Sequence, residues 1–301
     1  MLRAAIATLQ RQPDADAWEH PKSITYRRKA AASGKIVALF PGQGSQYLNM
    51  GREIALNFPP LRAAYGQMDA LFTQSNMMPL SDVVFPIPAF DEAQAKAQET
   101  ALRRTAYAQA AIGVFSAGLF AILRRAGFAP DFVAGHSFGE LSALWAGGIL
   151  DDAAFFALVK ARGQAMTPPD KGNGNGDAGG MVAVKGALSD IQAALAAHPD
   201  VIVANFNAPT QSVLAGPTAA IKAAQADLQA RGFTATLLPV AAAFHTPLVG
   251  HASAPFAQAV AAADFDPAHV PVYSNTTGQP YPADAPTAKD VLAQHILHPV
   301  V

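Results

Sequence analysis

The stretch FVAGHSFGELSALWAGG, residues 132–148, decides the reading of this 301-residue chain. Phe132 to Ala134 make a short apolar run suited to a buried strand, and Leu141, Leu144 and Trp145 recur at helical spacing. Between them, Gly135-His136-Ser137-Phe138-Gly139 has the Gly-x-Ser-x-Gly form of a nucleophile elbow. In such a turn the glycines clear space for a bend that lifts the serine hydroxyl out of the sheet. The following helix would aim its first amides and its positive dipole end at Ser137, where an oxyanion would form. An ordinary strand-to-helix turn of small residues fits the same five positions, so the motif needs support from elsewhere in the chain.

Working outward, the flanking pattern alternates strand and helix. KIVALF, from Lys35, reads as a strand followed by the glycine-rich turn PGQGSQ, and helical stretches are expected around 47–75 and 92–125. The elbow comes next, and then the helix DDAAFFALVKARGQAM. This alternation predicts an α/β fold with a parallel sheet covered on both faces. After the insert TPPDKGNGNGDAGG at 167–180 the rhythm changes to strand, helix, two strands, helix, strand, which is the ferredoxin-like order. A ferredoxin-like small subdomain, residues 167–237, is therefore expected inside a large one made of 35–166 and 238–301, with the chain returning near Ala241. Residues 1–34 are polar and turn basic in YRRKAAASG, so they read as an irregular linker, and HILHPVV at the other end reads as the edge of an excised segment.

Composition narrows the function classes. Lys+Arg 21 against Asp+Glu 22 gives a net charge of -1, which offers no general reason to bind nucleic acid or an anionic membrane surface. The absence of cysteine removes disulfides, thiolate metal sites and a cysteine nucleophile, and it permits the cytoplasm. TAYAQAAIGVFSAGLFAIL, between Arg104 and Arg124, approaches membrane-spanning length. Gln109, the small residues, and the direct run into the elbow strand predict a buried core helix there.

A serine hydroxyl needs a base, and histidine is the usual one. Of eight histidines, His198, His251 and His269 lie in surface-like contexts. His136 neighbours the serine and is expected to point the other way along the strand, as a structural residue. His245 follows VAAAF where the chain re-enters the large subdomain, yet a lone histidine at a strand end is more often structural than catalytic. His295 and His298 have a three-residue helical spacing, but two ligands without a third do not make a metal site, and no metal is assigned.

Five ordered segments, FPGQGSQ, GHSFGELSALWAGG, ARGQAM, NFNAPTQSVLAG and AFHTPLV, resemble the malonyl-CoA:acyl carrier protein transacylase family in order and spacing. That family includes the acyltransferase domains of polyketide and fatty acid synthases, and the resemblance runs from about Lys35 to the C-terminus. GHSFGE and the basic stretch before the first strand look most like the acyltransferases of multidomain polyunsaturated fatty acid synthases, with related iterative polyketide synthases as the alternative. The resemblance implies an α/β-hydrolase-like large subdomain and a Ser137–His245 dyad without an acidic third member. It implies an oxyanion hole from the backbone amides of Gln43 and Phe138, Arg162 as the clamp on a malonyl carboxylate, and Asn205 and Asn207 as supporting contacts. The family often has glutamine at the position of His295, whose backbone carbonyl would orient the catalytic histidine.

Phe244, just before that histidine, and Phe138 would leave little room for an α-methyl branch, favouring malonyl over methylmalonyl; Ala242 departs from the histidine common in malonyl-type domains. Malonyl-CoA as donor, a carrier-protein phosphopantetheine as acceptor, a neighbouring ketosynthase domain and no consumed cofactor complete what the resemblance implies. A thioester hydrolase with the same dyad and a silent scaffold domain are the competing readings.

Overall fold

In the computed structural model, residues 2–21, 23–28, 34–167, 177–240 and 242–301 are described. Residues 168–176, within the expected insert, and Ala241, the expected re-entry point, lie outside them. Two units emerge, residues 1–36 and 37–301.

The first unit corrects the expectation of an irregular linker. It holds α1 (Leu2–Arg11) and an antiparallel hairpin of β1 (Ala17–His20) and β2 (Ile24–Arg27). Trp18 pairs with Tyr26 across the hairpin and their rings stack at 5.4 Å, the kind of aromatic cross-strand pair that stabilises a two-stranded ribbon. In the sequence, Ala5, Ile6 and Leu9 already sat on one helical face, a period hidden by the polar residues around them.

The second unit opens with β3 (Val37–Phe40), followed by α2 (Arg52–Asn57), α3 (Pro59–Thr73), α4 (Leu80–Val84), α5 (Glu92–Arg103) and α6 (Thr105–Arg125). Then come the elbow elements β4 (Phe132–Gly135) and α7 (Gly139–Ala146), and α8 (Asp152–Ala165). The chain returns after the small subdomain through a 3-10 turn (Pro247–Ala252) and α11 (Ser253–Ala262), then adds β9 (Val272–Tyr273) and α12 (Ala285–Gln294). β3, β4 and β9 form a parallel sheet in the order β3-β4-β9.

α6, the apolar stretch of membrane-spanning length, is a core helix as expected: Ala108, Ala110, Ala111, Ile112 and Val114 are all buried. Its many alanines and glycines let neighbours approach closely. It packs with α3, whose Leu61, Met68 and Phe72 are fully buried, and with α8. Each such large side chain contributes about 1.5–3 kcal/mol on burial, so this three-helix layer is a rigid support for whatever the sheet carries.

The inserted subdomain has β5 (Gly180–Lys185), α9 (Leu188–Leu195), β6 (Ile202–Ala208), β7 (Gln211–Gly216), α10 (Thr218–Ala230) and β8 (Thr234–Leu237). Its sheet is antiparallel in the order β6-β7-β5-β8, the ferredoxin-like arrangement, with a separate core around Val182, Val184, Leu214, Ile221 and Leu228. The two subdomains are stitched at the last residues, where Val300 bridges Asn205 of β6.

Candidate active site

Three residues reverse the chain between β4 and α7, and Ser137 sits in the middle at φ 51°. A left-handed conformation costs a non-glycine residue about 1–3 kcal/mol, so the surroundings must enforce it. The glycines on either side are obligatory for a different reason. A Cβ on Gly135 would lie 2.0 Å from the Gly139 carbonyl carbon, and one on Gly139 would lie 2.2 Å from the Phe40 carbonyl oxygen. The turn is thus pressed flat against the end of β3, leaving Ser137 partly exposed beside the exposed His136 while Phe138 is buried.

His245 follows β8 and is also left-handed, at φ 61°. Its Nε2 is 2.7 Å from Ser137 Oγ. Its Nδ1 lies 3.2 Å from the His295 carbonyl and 3.0 Å from the His298 carbonyl. Carbonyls can only accept, so Nδ1 carries the proton and Nε2 presents its lone pair to the serine hydroxyl. Burial, reinforced by the Arg162 cation, lowers the His245 pKa to about 3, which keeps the ring neutral and able to accept at neutral pH. No carboxylate bonds His245 among the described residues; two backbone carbonyls at the end of α12 do the orienting. The role expected of the His295 carbonyl is shared with that of His298.

Ser137 and His245 open onto a cleft of about 230 Å3 lined also by Gln43, Asn205, Asn207 and Phe244. The structure therefore gathers these sequence-selected residues from β3's turn, β6 and the segment after β8. The amides of Gln43 and Phe138 donate to no other group among the described residues, which leaves them available to an oxyanion. Gln109, buried on α6, donates to Gln43 Oε1 at 3.2 Å, so the polar residue in the apolar helix ties α6 to the glycine-rich turn after β3. A larger cleft of about 520 Å3 between α8 and α11 is lined mainly by alanines and brings no nucleophile and base together.

Two expectations need correcting. His136 does not turn away from the site: it lines the same cleft, and its Nε2 donates to Asn207 Oδ1 at 2.8 Å, joining the elbow to the small subdomain. Phe138 is fully buried and not part of the cleft lining, so only Phe244 of the two phenylalanines narrows that space.

Arg162, from the last turn of α8, is 1% exposed, with its guanidinium carbon 5.7 Å from the Phe138 ring centre. All three of its guanidinium nitrogens are buried without a hydrogen-bond acceptor among the described residues. Burial lowers its pKa to about 10, and Glu140 opposes the fall, so it remains cationic at neutral pH. A buried cation without an acceptor is costly, and the guanidinium fork has the geometry to take a carboxylate through two parallel bonds.

Several residues here escaped sequence reasoning. Asn275, two residues past β9, accepts the Ser137 amide proton at 2.6 Å and donates its Nδ2 to the Gly135 carbonyl at 2.7 Å. Its own amide donates to Glu140 Oε2 at 2.7 Å, and the Tyr281 hydroxyl donates to Glu140 Oε1. Burial raises the Glu140 pKa to about 7 against these hydrogen bonds and Arg162. The polar run SNTTG, residues 274–278, was the only signal, and its meaning depends on a contact 138 residues distant in sequence. His295 and His298 bring no metal set with them: no group of three or more His, Asp or Glu placed to hold a metal ion occurs among the described residues.

Residues 37–301 match the acyl transferase domain family. The chain is 34% identical to a polyunsaturated fatty acid synthase polypeptide of Thraustochytrium sp. over 98% of its own length, while spanning only 10% of that protein. It is 35% identical to the malonyl CoA-acyl carrier protein transacylase of Synechocystis sp., over 82% of this chain and 76% of that one. Among solved structures, a malonyl-transacylase in complex with a type II polyketide synthase acyl-carrier protein superposes with a TM-score of 0.76 at 27% identity, over 89% of this chain and 82% of that one. Elbow, dyad, inserted ferredoxin-like subdomain and these likenesses agree, and the chain belongs to the acyltransferase domain family of malonyl transacylases and of polyketide and polyunsaturated fatty acid synthases.

Proposed function

We infer that this chain moves a malonyl group from coenzyme A to the phosphopantetheine thiol of an acyl carrier protein through a malonyl-Ser137 intermediate. The observation that carries the reading is the 2.7 Å Ser137–His245 contact in a chain whose buried Arg162 lacks an acceptor. In the first half, the Ser137 hydroxyl gives its proton to His245 Nε2 as Oγ bonds to the thioester carbonyl carbon. The oxyanion takes the amides of Gln43 and Phe138; one such donor is worth about 2.7–4 kcal/mol. Collapse breaks the C–S bond, and the departing thiolate collects the proton from His245. The second half runs in reverse with the carrier thiol as nucleophile, returning the proton to Ser137.

Arg162 selects the substrate by binding the free carboxylate, and Phe244, lining the cleft, favours malonyl over methylmalonyl. The reaction consumes no cofactor. The setting we propose is a multidomain polyunsaturated fatty acid synthase or related iterative polyketide synthase in the cytoplasm, with carrier and ketosynthase domains as neighbours and neither nucleic acid nor membrane as partner. Its support is the similarity along nearly the whole chain to a far longer synthase polypeptide.

Hydrolysis is the competing outcome, because the same dyad could deliver the acyl group to water. Loading the protein with radiolabelled malonyl-CoA, removing free coenzyme A and adding a carrier protein bearing phosphopantetheine separates the two. Label moving to the carrier faster than to free malonate supports transfer; label appearing only as malonate, with or without carrier, refutes it.

A further inference from the structure

A dyad lacks the third residue that fixes a triad from the base side, yet both of its members here are strained. Ser137 and His245 have φ of 51° and 61°, so something must over-determine their geometry. For Ser137 the nearest constraint is Asn275, whose side chain grips the elbow at two points: it accepts from the Ser137 amide at 2.6 Å and donates to the Gly135 carbonyl at 2.7 Å. An amide side chain can accept at one atom and donate at the other at any ordinary pH, which a carboxylate of the same shape cannot do.

Asn275 is itself anchored. Its amide donates to Glu140 Oε2 at 2.7 Å, and Glu140, fully buried on the first turn of α7, also receives the Tyr281 hydroxyl. The same Glu140 Oε2 is 3.7 Å from the buried His295 imidazole, whose carbonyl orients His245 Nδ1. One buried cluster therefore touches the backbone of the nucleophile and approaches the segment that orients the base, while contacting neither reacting side chain.

We propose that Asn275, anchored by Glu140 and Tyr281, is a positioning residue that holds Ser137 in its attacking conformation and keeps the serine–histidine pair in register. By occupying the Ser137 amide, Asn275 also decides which amides face the substrate: those of Gln43 and Phe138, with the serine's own amide removed from the oxyanion hole. The proposal rests on the reading of Ser137 as the nucleophile.

The test follows acyl-enzyme formation from malonyl-CoA in wild type, Ser137→Ala, Asn275→Ala, Glu140→Gln and the double variant, with circular dichroism and thermal melting giving the folded fraction. A misplacement of about 1 Å costs on the order of 100-fold in rate. Asn275→Ala should thus lower kcat for acylation about 100-fold with KM within about twofold. Glu140→Gln should lower kcat in the same direction, and the double variant should lose no more than the worse single one, because the residues act as a unit. Unchanged kcat per folded molecule, a loss carried by KM, or additive losses would each overturn the proposal. If Asn275→Ala does not fold, the nearly isosteric Glu140→Gln decides alone by its kcat and KM. A wild type that forms no adduct, or one that Ser137→Ala also forms, refutes the nucleophile itself and is thereby distinct from failure of the positioning role.

Discussion

Replacing Arg162 by methionine, which keeps most of its volume, should convert the protein from a malonyl-selective to an acetyl-tolerant transferase. The guanidinium is 1% exposed, lies outside the cleft lining and has no acceptor among the described residues, so a carboxylate that reaches it from the cleft would meet free donors in a dry site. Each hydrogen bond to a charged group is worth about 1.5–3 kcal/mol, and a bidentate pair about 3–6 kcal/mol. At about 1.36 kcal/mol per decade, that spans roughly 150-fold to 25,000-fold in kcat/KM for malonyl-CoA. Desolvation of the carboxylate offsets part of this, placing the expected loss near the lower bound. Acetyl-CoA lacks the carboxylate and should react as fast as before or faster. Stability should change little, since exchanging a buried unpaired charge for an apolar side chain is often neutral or favourable. The assay is competition between malonyl- and acetyl-CoA for acyl-enzyme formation, with melting as the control for folding. A folded Arg162→Met protein whose malonyl:acetyl ratio stays within about threefold of wild type would refute the clamp, because even one charged hydrogen bond is worth more than that.

Other expectations concern the base, the cleft and the turn. With His245 held neutral down to about pH 3, acylation kcat/KM in a Glu140→Gln background, which removes the buried carboxyl that titrates near 7, should stay flat from pH 8 to about 5; an inflection near the ordinary histidine value of 6.5 in that background would contradict the burial argument. The same shift makes stability fall as pH drops from 6.5 towards 3, where the unfolded chain binds a proton that the folded one refuses; Glu140, raised to about 7, pulls the other way, so the His245 part is read as the difference between wild type and His245→Gln in urea titrations at pH 7 and 5. Phe244→Ala should lower the malonyl:methylmalonyl ratio about tenfold, in line with the 1–3 kcal/mol a methyl group carries in a pocket; an unchanged ratio in competition would remove Phe244 from specificity. Gly139→Ala drives a Cβ to 2.2 Å from the Phe40 carbonyl oxygen. It should cost at least about 3 kcal/mol, seen as a melting point lower by roughly 6–12 °C, and a shift under 2 °C would mean the turn can relax.

What could be read in advance was what is local. The Gly135–Gly139 turn, the helix after it and the strand-helix order of β5 to β8 are each set by neighbours in sequence, and periodicity exposes them. His245 was a different case: nothing about AAFH alone distinguishes a base, and it stood out only through resemblance to a family. The constraints on the site were not legible because the chain assembles them from far apart. Asn275 reaches Ser137, and Tyr281 reaches Glu140, across more than a hundred residues. His136 departs from expectation because strand alternation does not extend into a turn where φ changes sign at the next residue; the alternation rule ends with the strand. The N-terminal helix and hairpin were hidden by polarity, since α1 carries a narrow apolar stripe and each hairpin strand has only four residues.

The central claim, a malonyl-serine at residue 137, is tested most directly by intact-protein mass spectrometry after brief incubation with equimolar malonyl-, methylmalonyl- and acetyl-CoA, beside Ser137→Ala. A mass gain of one malonyl group in the wild type and none in the variant is the expected result. An adduct that survives the serine substitution, or a folded wild type that gains no acyl mass and releases no coenzyme A, would contradict it.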